Sequence, residues 1–535
     1  MKKKKRSPVL PLLLVFAVLA GFAAWLILDR MQLAAPVSGT EAAEPAQKPQ
    51  FPSLFAPDPP EIGTLTLPAL APAAGDEAIA EAYARSWRYA LDGAVQAEDR
   101  QARQAVTVTH LDQEKLAEGL ADDVNALLAR NVAAAASPAE VYDENRQYLP
   151  AQVDAAWTEA LNARLAQPED YLIDESVSLE YSYADGAWTL LNPEALAPGL
   201  PDGAALRAGA TQTLVYVPFP YKIDEYALCG PVPREENYGY TTDPAEVSAM
   251  LARPEAQRLI GEETLVWNEN LTLIPNTGIS WYLDETLLVI VWQECEAGGI
   301  GTFSEIFISD GSQLRRKIAG DEVWSTHFTT TSNFAANANA VLCLGGDFYY
   351  HGRACGISVY QRAIHRFEPY SCDTCFFTSD GDMLFAYRGQ MTDQAAAEQF
   401  IADNDVLFSL AFGPVLIDNG VDMTPELYPW GEINDTYARS ALGLFGRHHY
   451  LAMNINCGTP NSGYYYLATL RQAADAMLRR GCVKAYTLDG GQTATTVFHN
   501  TLINPVQFGW QKDISDVIYF ATAIPNDPET ADPGE

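Results

Sequence analysis

The spacing of apolar positions changes several times along the chain, and each change predicts a different kind of element. Residues 9–28 are an almost unbroken apolar run, set between the basic cluster 2–6 and the pair Asp29-Arg30. About 20 apolar residues at roughly 1.5 Å each match a hydrocarbon core of roughly 30 Å, which predicts a transmembrane helix over 9–28. The basic tail 1–8 is then expected on the cytoplasmic side, with everything after Arg30 outside. The run closes on Trp25-Leu26-Ile27-Leu28 rather than on small residues, which favours an uncleaved anchor. Cleavage near Leu33-Ala34-Ala35 is the competing reading, and both readings export the body. Residues 29–75 are rich in Ala and Pro, densest at Pro57-Asp58-Pro59-Pro60, the composition of a semi-extended stalk.

From Asp76 the period becomes helical. Ile79, Tyr83, Trp87 and Leu91 recur at helical spacing. Leu116, Leu120, Val124 and Leu127 do so again after Asp112, and Val153, Trp157, Leu161 and Leu165 a third time. The period then drops to two at Val177, Leu179, Tyr181 and Tyr183; Asp185-Gly186 turns the chain, and Trp188 and Leu190 return it. Helices closed by a hairpin reading DGAWTLL resemble small cone-shaped α+β domains of the NTF2-like type, so 76–200 is expected to be an accessory α+β domain without visible chemistry. Residues 201–262 read as transitional, with a strand at 213–218 and one helix over 245–259. From Glu263 strand signals dominate a C-terminal mixed α+β domain expected over 263–525, with an acidic tail at 526–535. Within it the continuous apolar run 287–292 suits a strand buried on both faces. Residues 305–309 form a strand ending at Asp310-Gly311, and helices are expected at 392–403 and 466–480.

Charge narrows the function. Of 535 residues, 34 are Lys or Arg and 69 are Asp or Glu, and five of the basic residues lie in the first six positions. The remainder carries a net charge of −40, which repels phosphate backbones and anionic lipid surfaces. Nucleic-acid binding is therefore excluded as a starting hypothesis, and membrane attachment falls to the N-terminal segment alone. All eight cysteines lie at or after Cys229. Cys372-Asp-Thr-Cys375 is a lone CxxC with no second pair or histidines at ligand spacing, so it reads as a local disulfide or packed thiols rather than a metal site. No HExxH, GxSxG or P-loop is present, and neither metal nor cofactor is expected. His448-His449 reads as an exposed turn.

Three patches place Gly beside a polar group after a strand: Leu344-Gly345-Gly346-Asp347-Phe348-Tyr349, Phe412-Gly413-Pro414-Val415-Leu416-Ile417-Asp418-Asn419-Gly420, and Leu488-Asp489-Gly490-Gly491-Gln492-Thr493. Singly, each is a turn signal. Their order, with Ala438 to Gly443 reading ARSALG between the second and the third, resembles the phosphodiester glycosidase family over roughly 263–520. That family includes the uncovering-enzyme type, an N-acetylglucosaminidase acting on phosphodiesters, and exported bacterial proteins linked to exopolysaccharide.

The resemblance implies cleavage of a sugar C1–O–P bond through an oxocarbenium-like state that a carboxylate stabilises. On this sequence it implies Asp347 and Asp489 as the catalytic carboxylates and Arg439 as a forked phosphate clamp. Gly490, Gly491 and Thr493 would cradle the anion, and Gly346, Gly413 and Asn456 would also bind substrate, the glycines by letting it close to the backbone. Lys484 would help Arg439 counter the acidic body. Three departures leave a second reading open: Gly345 stands where members commonly carry Asn, Gln492 where they carry a third Gly, and Asn456-Cys457-Gly458 where many carry Asp-Gly-Arg. The reading is thus a membrane-anchored, extracytoplasmic hydrolase of glycosyl phosphodiesters in surface glycan, or a degenerate glycan-binding or envelope module of the same fold.

Overall fold

In the computed structural model, which describes residues 57–347, 356–429, 431–457 and 467–526, the chain forms two compact units. Among the described residues no helix is long and apolar enough to cross a membrane. The expected span 9–28, the basic tail, most of the stalk and residues 527–535 lie outside them.

The first unit comprises residues up to Glu118 together with Asn162–Leu206. Its sheet is antiparallel in the order Arg88–Glu98, Gln101–Leu111, Leu172–Ala184, Ala187–Leu190. Alternation builds it: Ala102, Val106 and Val108 point inward against Leu179 and Tyr181. Asp185 and Gly186 both take positive φ, 53° and 84°, the geometry that a two-residue hairpin with matching twist requires. The helix expected through Leu91 stops at Ser86. Trp87 leaves it in extended conformation, its Nε1 held by the Leu196 carbonyl at 2.7 Å, and Leu91 is an exposed strand residue whose helical spacing was coincidental.

The second unit comprises Gly119–Leu161 and everything from Arg207. A nine-stranded antiparallel sheet runs in the order Val421–Asp422, Val415–Asp418, Lys484–Leu488, Arg439–Gly446, His449–Asn456, Gly299–Ile308, Leu287–Glu296, Ile279–Leu283, Tyr238–Thr241. A five-stranded sheet, also antiparallel, runs Thr501–Leu502, Thr496–Phe498, Leu342–Gly345, Asp516–Phe520, Leu314–Ile318. Leu287–Glu296 shows why the sheets stack. Leu288, Ile290 and Trp292 enter a core shared with the helices Pro244–Leu251, Pro254–Ile260 and Leu470–Arg479. Leu287, Val289 and Val291 enter a second core shared with Leu342, Leu344, Ile518 and Phe520 of the smaller sheet. Helix Thr331–Ala338 covers that sheet's far face through Phe334, Ala335 and Ala338.

The single helix expected over 245–259 is two, because Arg253 adopts an extended conformation before Pro254 starts the second. Residues 213–218 join no ladder. Both cysteines of the CxxC are buried and are not bonded to each other as a disulfide. His448 takes the turn with φ 71°, but His449 is a buried strand residue, with Nε2 2.9 Å from Glu305 and its ring stacked on Phe307 and Phe445. Period-two geometry turns it inward one residue after the turn.

Candidate active site

One edge of the stacked sheets collects the ends of Leu342–Gly345, Val406–Leu410, Lys484–Leu488 and His449–Asn456, and the starts of Arg439–Gly446 and Asp516–Phe520. Asp347 lies just past the first of these, with its side chain 2% exposed. One carboxylate oxygen accepts from Arg316 Nη2 at 2.8 Å and the other from the Ala411 N–H at 2.8 Å. Arg316, in the middle of Leu314–Ile318, also donates through Nε to Asp516 Oδ2 at 2.9 Å and through Nη1 to the Ser409 carbonyl. Two buried carboxylates therefore share one guanidinium. Asp516 is pushed well above the usual carboxylate range, by burial first and by Asp347 second, against the pull of Arg316. Gly346 makes this approach feasible: a Cβ there would lie 2.5 Å from Asp516 Oδ2.

Asp489 joins the same cluster from the larger sheet. Its N–H donates to the Gly346 carbonyl at 3.0 Å, which fastens the two Gly-rich turns to each other. Its Oδ1 accepts from the Gly490 N–H at 2.9 Å. Asp489 is half-buried, and burial pushes its carboxyl up to about 7, with the charge of Asp347 adding to the rise. The Thr493 hydroxyl, the Lys512 ammonium and the Gly490 N–H act in the opposite sense. The structure thus sets two carboxyl groups near each other in unlike surroundings: Asp347 held by a cation and an N–H, and Asp489 able to keep its proton near neutrality. A site that separates two carboxyls in this way can divide charge stabilisation from proton donation.

The other expected site residues are placed nearby but used differently. Arg439 is buried, with Nε on the Ala468 carbonyl at 2.9 Å and Nη2 on the Ile433 carbonyl at 2.9 Å and on that of Asp435. Burial lowers it to about 10, and its expected two-pronged phosphate fork is taken up by main-chain carbonyls. The expected nest is not open either. The Gly490 N–H serves the Asp489 carboxylate, the Gly491 N–H donates to the Ala438 carbonyl at 2.9 Å, and the Thr493 hydroxyl donates to the Gly490 carbonyl at 2.7 Å. Gly490 is needed because a Cβ would meet the Ala438 carbonyl at 2.5 Å. The Gly413 N–H donates to the Tyr486 hydroxyl at 2.7 Å, and that hydroxyl also receives the Phe412 N–H. Asn456 is buried, its Nδ2 on the Ala494 carbonyl and its Oδ1 accepting from Asn504, so it props the loop after Asp489 from behind. Lys484 is at the far end of its strand, bound to Asp382 at 2.6 Å.

Arg316, Asp516 and Lys512 were absent from the sequence reading. The run Leu314-Arg315-Arg316-Lys317-Ile318 held a signal, three successive cations in so acidic a body, and all five residues are buried. Their partners could not be guessed, because Asp347 and Asp516 lie 31 and 200 residues away. A cavity of about 430 Å³ lies elsewhere, lined by Arg234, Asn237, Tyr282, Asp284 and Thr522 at the opposite end of Asp516–Phe520.

The stacked antiparallel sheets thus carry a carboxylate–arginine cluster at one edge. Residues 372–521 match the family model for phosphodiester glycosidase, so that stretch is a domain of this family; the match begins well inside the region 263–520 that carried the resemblance. The SPbeta prophage-derived protein YomE of Bacillus subtilis is 23% identical over 146 residues, which cover 27% of this chain and 21% of YomE. The chain therefore spans about a fifth of the length of that curated relative. Among solved structures, the zebrafish N-acetylglucosamine-1-phosphodiester alpha-N-acetylglucosaminidase catalytic domain, auto-inhibited by its pro-peptide, is 16% identical with a TM-score of 0.35, covering 44% of this chain and 83% of its own. A hypothetical protein from Synechocystis is 12% identical at the same TM-score, covering 46% and 66%.

Proposed function

We propose that the second unit hydrolyses glycosyl phosphodiesters at the sugar C1–O bond. The observation that carries this is the paired carboxyls Asp347 and Asp489 in unlike surroundings, in and beside a phosphodiester glycosidase domain. Protonated Asp489 gives its proton to the bridging phosphate oxygen as the C1–O bond breaks and its electron pair leaves with the phosphate. Asp347, bonded to Arg316 and to the Ala411 N–H, faces the positive charge that develops on the sugar and stabilises it. Water then adds to C1 and loses a proton, releasing free sugar and a phosphomonoester. The basic cluster and apolar run of residues 2–28 support single-pass anchoring with this unit on the extracytoplasmic side, where surface glycan is the substrate class.

A second reading, a non-catalytic module binding phosphorylated glycan, is favoured by one observation: the Arg439 fork and the Gly490 and Gly491 N–H groups are already bonded inside the protein. Incubation of the purified protein with methyl phosphodiesters of glucose 1-phosphate, N-acetylglucosamine 1-phosphate and mannose 1-phosphate separates the two. Release of free sugar and methyl phosphate supports the hydrolase. Saturable binding without release supports the module, and neither result defeats both.

A further inference from the structure

We propose that residues 507–512 form the recognition arm of this site, with Trp510 offering the sugar an aromatic face and Lys512 meeting the phosphate charge. The proposal rests on the phosphodiester reading and adds to it the elements that hold the two halves of the substrate.

Three observations converge on this segment. The first is charge. Five lysines fall among the described residues, and four have an evident partner: Lys115 bonds the Leu172 carbonyl, Lys222 pairs with Asp310, Lys317 with Asp321 and Lys484 with Asp382. Lys512 makes no hydrogen bond or ion pair among the described residues, although its ammonium lies near enough to act on Asp489. In a body of net −40, an unpaired cation within electrostatic reach of a carboxyl that must receive an anionic substrate has a use that an ordinary surface lysine lacks. Arg439, expected in this role, has its fork taken up by carbonyls.

The second observation is apolar exposure. Trp510 is 60% exposed and Phe508 45%, a pair of large aromatic side chains left at the surface within three residues. Aromatic faces suit the apolar C–H faces of sugar rings and hold them at low conformational cost. The third is that the arm is fixed in place. Gln492, in the turn that follows Asp489, donates through Nε2 to the Trp510 carbonyl at 3.0 Å. Gln511 is clamped by Ser332, accepting its N–H at 3.1 Å and donating to its hydroxyl at 2.7 Å. Phe508 holds a positive φ of 63°, and the neighbouring Gln507 Nε2 is buried with no acceptor among the described residues. Strain and an unpaired donor in one short segment are departures from ordinary packing that cluster at binding sites.

The test compares wild type with Trp510→Ala, Lys512→Gln and Lys512→Arg on the three methyl sugar-1-phosphodiesters, with the matching methyl glycosides as phosphate-free binding controls. Both side chains reach solvent, so the melting temperature is expected to hold, and the readouts are KM and the calorimetric Kd. Lys512→Gln is expected to raise both at least tenfold for the phosphodiester while leaving glycoside binding unchanged, and Lys512→Arg to bring them back within about threefold. Trp510→Ala is expected to weaken phosphodiester and glycoside alike, about tenfold. Lys512→Gln is also expected to move the high-pH fall of kcat/KM further up, because it removes a cation that favours ionised Asp489. If wild type turns over and neither variant changes KM by more than twofold, the arm is wrong and the glycosidase reading stands. If wild type binds without turnover and the variants lose binding, the arm stands and catalysis falls. A wild type that neither binds nor turns over overturns both.

Discussion

The two ends of the stacked sheets each hold an aspartate, and they use it in opposite ways. At the end that holds the 430 Å³ cavity, Asp284 accepts from the Thr286 N–H at 2.7 Å, the Thr286 hydroxyl at 2.9 Å, the Leu287 N–H at 2.9 Å, the Tyr282 hydroxyl at 2.8 Å and the Thr522 hydroxyl. Five neutral donors occupy both of its oxygens, and nothing about it is left to do. At the other end Asp489 has one N–H on its carboxylate, Thr493 and Lys512 near it, and a second carboxyl alongside. Hollow volume marks the first end and unfinished electrostatics the second. Chemistry needs a group whose protonation can change at working pH, so the smaller, more charged end is the one to test.

The largest effect should come from Asp489→Asn, which keeps the acceptor for the Gly490 N–H and removes the proton. Turnover of the phosphodiester probe is expected to fall about 10²–10⁴-fold with folding intact. Asp284→Ala is the counterpart at the far end and should leave kcat/KM of the folded protein unchanged. Turnover that survives Asp489→Asn would dissolve the contrast between the ends. Arg316→Met comes next. It leaves Asp347 and Asp516 buried without their cation, and chemical denaturation should show a loss of about 3–5 kcal/mol. A loss below about 1 kcal/mol would mean that the pair is solvated. For Asp284→Ala the same measurement should show about 2–4 kcal/mol, since three hydroxyls and two N–H groups lose their acceptor.

Arg439→Met separates two views of that residue. With its guanidinium on the carbonyls of residues 433, 435 and 468, the change should cost about 2–3 kcal/mol of stability and leave KM for the phosphodiester within a few-fold of wild type. A KM rise of tenfold or more would return Arg439 to the phosphate.

What could be read from the chain follows from the range of the forces involved. Leu287–Glu296 announced itself because a strand between two cores needs apolar residues on both faces. Helix Leu470–Arg479 was legible through its amphipathic run, and it starts at a capping box in which Thr469 and Gln472 bond each other's N–H. The Gly-rich turns were visible, and the structure does bring Asp347 and Asp489 together. Strand Arg88–Glu98 was missed because most of its residues are exposed and its sequence carries no alternation; pairing with Gln101–Leu111 alone makes it a strand. The nest at Gly490–Gly491 was misjudged for a related reason. Glycine supplies the backbone freedom for a nest, but whether the N–H groups face a ligand depends on Ala438, some fifty residues earlier. Long-range pairing decides such cases, and no local pattern encodes it.

The smallest effect concerns the stability cost of keeping Asp489 ready. The groups that face it are Asp347, which raises its affinity for a proton, and Lys512, Thr493 and the Gly490 N–H, which lower it; Arg316 and Asp516 stand behind Asp347. Burial dominates, so the folded carboxyl titrates near 7 and the unfolded one near 3.8. Between those values the folded state holds a proton that the unfolded state has released, and stability falls as pH rises through the window. Below about pH 4 both states are protonated and no cost is present; above about pH 7 the whole cost is. Asp489→Asn removes this one slope and leaves that of Asp516 in place. Denaturation midpoints should therefore nearly coincide for variant and wild type at pH 4, and by pH 8 the variant should be ahead by about 1–2 kcal/mol, solvent access to a half-buried group having trimmed the full shift. A variant that is inactive yet more stable at high pH is what a strained catalytic acid gives. An Asp489 held only for its hydrogen bonds predicts the reverse sign, with the wild type ahead at pH 8.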